Sequence, residues 1–199
     1  MRLALLYMRS RQAGRTVAVL AAIAVVAWLW LRWDSASAIT VTIVPIAIPL
    51  AAAMMVGSSA GSPFGESEAT GGHPLWPLRG GHLLGLVAVA AAALALAVLR
   101  WGVPDGAWTL VRNLAGFTGL ALLTARVLGA GLSWVVPLGY AILSLLAPRP
   151  GELPSPWTWP ALAATDHMAA LIALALLLAG LVVVALSGAR DAPAGSAAA

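Results

Sequence analysis

Long, nearly uncharged apolar segments are the feature that most restricts what this chain can fold into. Six segments approach the roughly 20 residues that an α-helix needs to cross about 30 Å of hydrocarbon. They lie at residues 17–33, 38–56, 82–99, 107–128, 132–147 and 168–186. Of the 199 residues, 61% are hydrophobic and only 9% are charged, which excludes an ordinary water-soluble domain. The pattern predicts an all-α integral membrane protein with about six transmembrane helices, or five if Gly129-Ala130-Gly131 does not form a tight turn.

The arginines predict the sidedness of this protein. All eleven basic residues are arginine, and cytoplasmic flanks of membrane spans carry an excess of Lys and Arg. With six spans, seven arginines fall on one side and four on the other. We therefore expect both termini in the cytoplasm, in a multi-pass protein of the plasma membrane. The seven are Arg2, Arg9, Arg11, Arg15, Arg79, Arg126 and Arg190. The arginines are too scattered for nucleic-acid binding.

Four segments lie outside the predicted spans. Residues 1–15 form a basic amphipathic segment, which is either an interfacial helix on the inner leaflet or a basic stop before the first span. Residues 57–81 form a long cytoplasmic connection, and residues 148–167 a Pro- and Trp-rich segment that we expect at the outer interface. Residues 191–199 are a small-residue tail that we expect to be disordered.

The residues of common active sites are missing. The chain has no Cys and no Lys, which excludes disulfides, thiolate metal sites and a nucleotide-binding Walker motif. The predicted topology puts His167 on the other side of the membrane from His73 and His82, so we expect no metal site. Asp166 and His167 could form an acid/base pair, but Asp166 suits the N-cap of the sixth span better. We expect no enzymatic activity and no cofactor in this chain.

Polar residues within the spans are few, and Arg112 and Asn113 are the candidates for a functional role. They lie near one end of the fourth span, where Arg112 either reaches the outer surface or lines a polar path between helices. Pro45 and Pro49 in the second span should free backbone carbonyls and bend that helix. Pro137 should do the same in the fifth. Small residues on the fourth span, at Ala115 and Gly119 and at Ala121 and Ala125, favour close helix packing.

This layout, with SPFGESEATGGHPLWPLR between spans two and three and a Trp/Pro-rich segment before span six, resembles a known family. It is similar to the membrane (permease) subunit of type-2 ATP-binding-cassette transporters, especially the short actinobacterial-like permeases without a fused ATPase. In that family the connection is a coupling helix that docks on the ATPase. The resemblance implies that Glu66 or Glu68 and Arg79 contact that partner, although this chain is shorter than such permeases usually are.

The resemblance implies an exporter permease that forms its pathway as a homodimer, or as a heterodimer with a similar subunit, within the lipid bilayer. A separate ABC ATPase subunit would bind ATP and Mg, because this chain has no nucleotide motif. Two alternatives are a non-transporting membrane scaffold or accessory subunit and a small membrane-embedded enzyme. The carboxylates of Glu66 and Glu68 could also do no more than keep a loop soluble.

Overall fold

A computed structural model describes residues 13–34, 37–61, 75–99, 106–146 and 156–190. This part of the chain is all-helical, as predicted. Six α-helices, here α1 to α6, are Ala13–Trp33, Ala38–Ser58, Trp76–Leu99, Gly106–Leu128, Val135–Leu146 and His167–Ser187. Two 3-10 segments, Ala130–Leu132 and Pro156–Ala161, precede α5 and α6.

Four of the helices are long and apolar enough to cross a membrane, namely α1, α2, α3 and α6. The fourth helix is equally long but more polar. The fifth has 12 residues, which at 1.5 Å each extend about 18 Å and fall short of a full crossing. Membrane insertion is therefore expected to depend mainly on the four apolar helices.

The helices alternate in direction. Asn113 of α4 bonds to Pro45 of α2, and the backbone N–H of Arg190, just after α6, donates to Ala125 near the end of α4. These contacts make α2, α4 and α6 parallel. The start of α3 lies at the end of α6, because Arg79 approaches Gly188. We call this end of the bundle the arginine end.

The arginine end carries Arg15, Arg79, Arg126 and Arg190. At the opposite end, a turn joins α1 to α2. There the backbone N–H of Ser37 donates to the Asp34 carboxylate at 3.1 Å, and Trp30 Nε1 donates to Thr40 Oγ1 at 2.9 Å. Ser37 Oγ in turn caps α2 by accepting from the Thr40 N–H. The turn holds α1 and α2 as an antiparallel pair.

Helix α4 is the central element of the bundle. It packs against α2, α3, α5 and α6, whereas α1 packs on α2 and α3 at the periphery. A helix surrounded by protein rather than lipid can carry polar residues whose partners lie on its neighbours. This position explains why the fourth predicted span is the least apolar of the long ones.

Glycines let α6 approach α4 closely. A Cβ added at Gly119 would clash with the backbone of Leu176 and Leu177, and one added at Gly180 would lie 2.7 Å from the Gly119 carbonyl oxygen. On the other side of α4, Ala121 lies against Gly57 of α2. The predicted packing role of Gly119 and Ala121 is confirmed, and Gly180 is a partner that the sequence analysis missed.

The start of α3 differs from the predicted one. Helix α3 begins at Trp76 rather than at residue 82, so Arg79 and His82 belong to a helix. Pro77 does not prevent this, because a proline in the first helical turn removes an N–H that has no partner there. The predicted turn between spans four and five exists, and Gly129 adopts a φ of 93° that favours glycine.

We expect Gly119→Ala to destabilise the bundle by about 1–3 kcal/mol, because the added methyl group has no space against α6. The matched control is Gly85→Ala in α3, where an added Cβ meets nothing within 4 Å. That substitution should be neutral or stabilising by up to about 1 kcal/mol. Equilibrium unfolding in mixed micelles, followed by circular dichroism, compares the two variants. Equal unfolding midpoints would show that α4 and α6 are not in close contact.

Candidate functional site

Two polar side chains lie side by side in the interior of the bundle. Arg112 and Asn113 are on α4, about 9 Å from its start at Gly106, and are 3% and 0% exposed. Arg112 Nε donates to Asn113 Oδ1 at 3.2 Å. The Arg112 guanidinium is therefore covered by protein rather than extended to the surface of the bundle, and its depth in a membrane stays a prediction.

Asn113 bonds to a carbonyl that a proline leaves without a partner. In α2 the carbonyl of residue 45 would normally accept from the N–H of residue 49, but Pro49 has no N–H. Asn113 Nδ2 donates to that carbonyl oxygen at 2.8 Å instead. The prediction that the prolines of α2 free backbone carbonyls is confirmed at this position. The same amide group donates to the Pro160 carbonyl at 2.9 Å.

Arg112 holds the segment that follows the second 3-10 helix. Its Nη1 donates to the Ala163 carbonyl at 2.7 Å and its Nη2 to the Leu162 carbonyl at 2.9 Å. Non-helical backbone is tolerated at membrane depth only where its polar groups find partners within the protein or in water. Together Arg112 and Asn113 bind four backbone carbonyls, and we call this group the carbonyl clamp.

Asp166 places a negative charge near the carbonyl clamp. Its carboxylate attracts the Arg112 guanidinium, so the positive charge in the interior has a nearby negative one. Asp166 also caps α6, since Oδ1 accepts from the Ala169 N–H at 2.9 Å. The predicted N-cap role of Asp166 is confirmed, and His167 beside it is exposed.

Trp159 anchors the same segment inside the bundle. Its indole is 0% exposed and lies on Gly116 of α4, where no side chain intervenes. The ring centroids of Phe117 and Tyr140 are 5.3 Å and 6.1 Å away. Trp159 is therefore covered by helices rather than exposed on the bundle surface, and the depth of its segment in a membrane stays a prediction. The described part of the 148–167 segment packs between helices because α4 provides a glycine there.

The chain returns from the end of α4 to the start of α6 through α5 and the second 3-10 segment, so α5 alone does not have to span the bundle. Because α4 and α6 are parallel, the chain between them must travel back along the bundle. Helix α5 covers part of that distance, and Tyr140 on it meets Trp159 of the 3-10 segment. The carbonyl clamp then fixes the end of this return path beside the start of α6.

The predicted coupling residues are only partly described. Glu66 and Glu68 lie outside the described residues. Arg79 lies in the first turn of α3, and its guanidinium packs against Gly188. A Cβ added at Gly188 would lie 3.2 Å from Arg79 Nη1. The structure thus does not bring Arg79 together with Arg112 and Asn113, which are near the other end of the bundle.

Histidine and carboxylate side chains do not form a cluster in the part of the chain that the structure describes. Among these residues there is no group of three His, Cys, Asp or Glu suited to a metal ion. His82 is buried in α3, near the arginine end, whereas His167 lies at the start of α6. The two described histidines are therefore at opposite ends, as the topology predicted.

We expect Asn113→Leu to be less destabilising when residue 49 can donate a hydrogen bond. In Pro49→Ala, residue 49 regains an N–H that can donate to the Pro45 carbonyl. That carbonyl then no longer depends on Asn113 for a hydrogen bond. A double-mutant cycle in mixed micelles should give a coupling free energy of about 0.5–2 kcal/mol. Pro45→Ala is the matched control, because its new N–H faces the Val41 carbonyl and should give no coupling. An equal cost of Asn113→Leu with and without Pro49 would contradict the clamp.

No protein-family model, curated protein or solved structure matches this chain. Its function has to follow from its own residues.

Proposed function

We propose that this chain is the permease subunit of an ABC exporter, embedded in the plasma membrane and powered by a separate ATPase chain. The main support is the position of the connection between α2 and α3, which begins and ends at the same end of the bundle. Gly61 after α2 and Leu75 before α3 both lie at the arginine end. The segment with Glu66 and Glu68 is therefore attached at the end where a cytoplasmic partner would bind.

The charges of the described residues support a cytoplasmic arginine end. Four described arginines lie there, while Arg32 is the exposed arginine at the other end. Arg112 does not count as a flanking charge, since its guanidinium is buried in the bundle. By the positive-inside rule, the arginine end faces the cytoplasm. The first described helix then begins in the cytoplasm and α6 ends there.

Arg79 offers a way for a partner to act on the bundle. It follows the connection by one helical turn and contacts Gly188, where the backbone leaves α6. A movement of the connection would reach α6 through this contact. Since α6 is in close contact with α4 through Gly119 and Gly180, the displacement would reach the centre of the bundle.

A pathway would require a second subunit. Within one chain Arg112 and Asn113 donate to backbone carbonyls of that same chain, so these donors hold the fold. Two copies, or this chain and a similar one, would form the path between them. The apolar helix surfaces favour lipids, peptides or hydrophobic drugs as the exported substrate.

A membrane scaffold or accessory subunit is the second candidate. The same carbonyl clamp favours it, because Arg112 and Asn113 stabilise the fold rather than line a passage. In that case the segment at residues 62–74 would hold a partner at the membrane without coupling it to transport. Both candidates share the topology, so the effect of the segment on ATP hydrolysis distinguishes them.

We expect the double substitution of Glu66 and Glu68 by Ala to weaken association with an ATPase subunit that co-purifies from native membranes. Charge-assisted hydrogen bonds contribute about 1.5–3 kcal/mol each, so the affinity should fall at least about tenfold. Substrate-stimulated ATP hydrolysis should fall with it. The control is Glu152→Ala, which removes a carboxylate from the connection predicted on the other side.

Unchanged association and unchanged stimulation, in a protein with normal helicity, would defeat the docking role. Association without any substrate-dependent hydrolysis in the wild type would favour the scaffold. An effect of Glu152→Ala equal to that of the double variant would contradict the proposed sidedness.

A further inference from the structure

We propose that the arginine end binds the phosphate headgroups of anionic phospholipids. This surface is formed by Arg15, Arg79, Arg126 and Arg190 together with the apolar side chains next to them. The proposal is independent of the exporter assignment, since it concerns lipid rather than a protein partner.

The charge distribution of the described residues is strongly one-sided. Both described carboxylates, Asp34 and Asp166, lie at the opposite end, where they hold a turn and cap a helix. The described part of the arginine end thus has four guanidinium groups and no carboxylate. In the full sequence the seven arginines predicted on this side still outnumber Glu66, Glu68 and Asp191. Such a surface attracts anionic headgroups of the cytoplasmic leaflet.

Hydrogen bonds hold Arg190 at the ends of two parallel helices, α4 and α6. Arg190 Nη1 donates to the Val127 carbonyl at 3.1 Å, and its backbone N–H donates to Ala125, also at 3.1 Å. Arg79 approaches Gly188 in the same region. A guanidinium has five N–H groups, so the Arg190 bond to Val127 leaves donors for a phosphate oxygen.

Apolar surface beside the arginines favours a lipid over an acidic protein. Val127 and Leu128 at the end of α4 and Leu186 near the end of α6 are exposed, by 61%, 43% and 67%. Acyl chains would cover these side chains while the headgroup meets the guanidinium groups. A partner that offered only acidic side chains would leave these apolar side chains uncovered.

Two tryptophans place the same end at headgroup depth. Trp76, at the start of α3, and Trp134, just before α5, are both exposed at the arginine end. Tryptophan is enriched where a membrane protein crosses the interface between hydrocarbon and water. The tryptophans thus place the four arginines at the level of the lipid headgroups.

The test compares lipid binding by the full chain and by an Arg126→Gln/Arg190→Gln variant. Native mass spectrometry in a neutral detergent measures the affinity for phosphatidylglycerol and for phosphatidylcholine. An arginine near the membrane surface contributes about 1 kcal/mol, so each substitution should weaken phosphatidylglycerol binding about fivefold. Phosphatidylcholine binding should not change. Arg32→Gln, which removes an exposed arginine from the opposite end, is the matched control and should leave both affinities unchanged.

Equal phosphatidylglycerol affinity in the wild type and the double variant would overturn the proposal, as would an equal loss in Arg32→Gln. Displacement by glycerol 1-phosphate at the same concentration as the lipid would also overturn it, because that anion has no acyl chains. Loss of ATPase association with unchanged lipid binding would assign the arginines to a protein partner instead. If the double variant misfolds, the salt dependence of lipid binding by the wild-type protein still tests the proposal. Raising the salt from about 0.1 M to 1 M must weaken binding of phosphatidylglycerol selectively.

Discussion

Backbone carbonyls without helical partners set the main constraint on this bundle. Hydrocarbon offers no water to bind them, so each must find a donor within the protein. Asn113 and Arg112 supply donors to four such carbonyls, at Pro45, Pro160, Leu162 and Ala163. One short stretch of α4 therefore joins a proline-containing helix and an irregular segment to the centre of the structure.

The central position of α4 accounts for its unusual composition. A buried arginine is costly because it is desolvated, and the nearby Asp166 carboxylate offsets only part of that cost, while carbonyl oxygens provide hydrogen-bond acceptors. The small residues of α4 serve a second purpose, since Gly116 admits Trp159 and Gly119 admits α6. Polarity and small size thus both reflect contacts with protein rather than with lipid. The apolar helices around α4 then face the bilayer.

Much of this fold could be predicted from hydrophobic segments alone, because apolar length determines helices of this kind directly. Pro49 also predicted a freed carbonyl, but the sequence did not indicate that Asn113, the only asparagine of the chain, would bind it. The burial of Trp159 could not be predicted, since it depends on Gly116 lying opposite a segment far away in sequence. The Arg112 acceptors were equally unpredictable, because no proline marks the carbonyls of Leu162 and Ala163 as free.

Hydrogen exchange across residues 156–166 in lipid nanodiscs tests the clamp most directly. The Leu162 and Asp166 N–H groups bond within this segment, and they are protected only while the segment stays in place. In Arg112→Gln we expect their exchange to rise at least about tenfold, which corresponds to about 1.4 kcal/mol, while α3 exchanges as in the wild type. Unchanged exchange of the segment, or an equal increase in every helix, would contradict the claim that Arg112 holds it in the bundle.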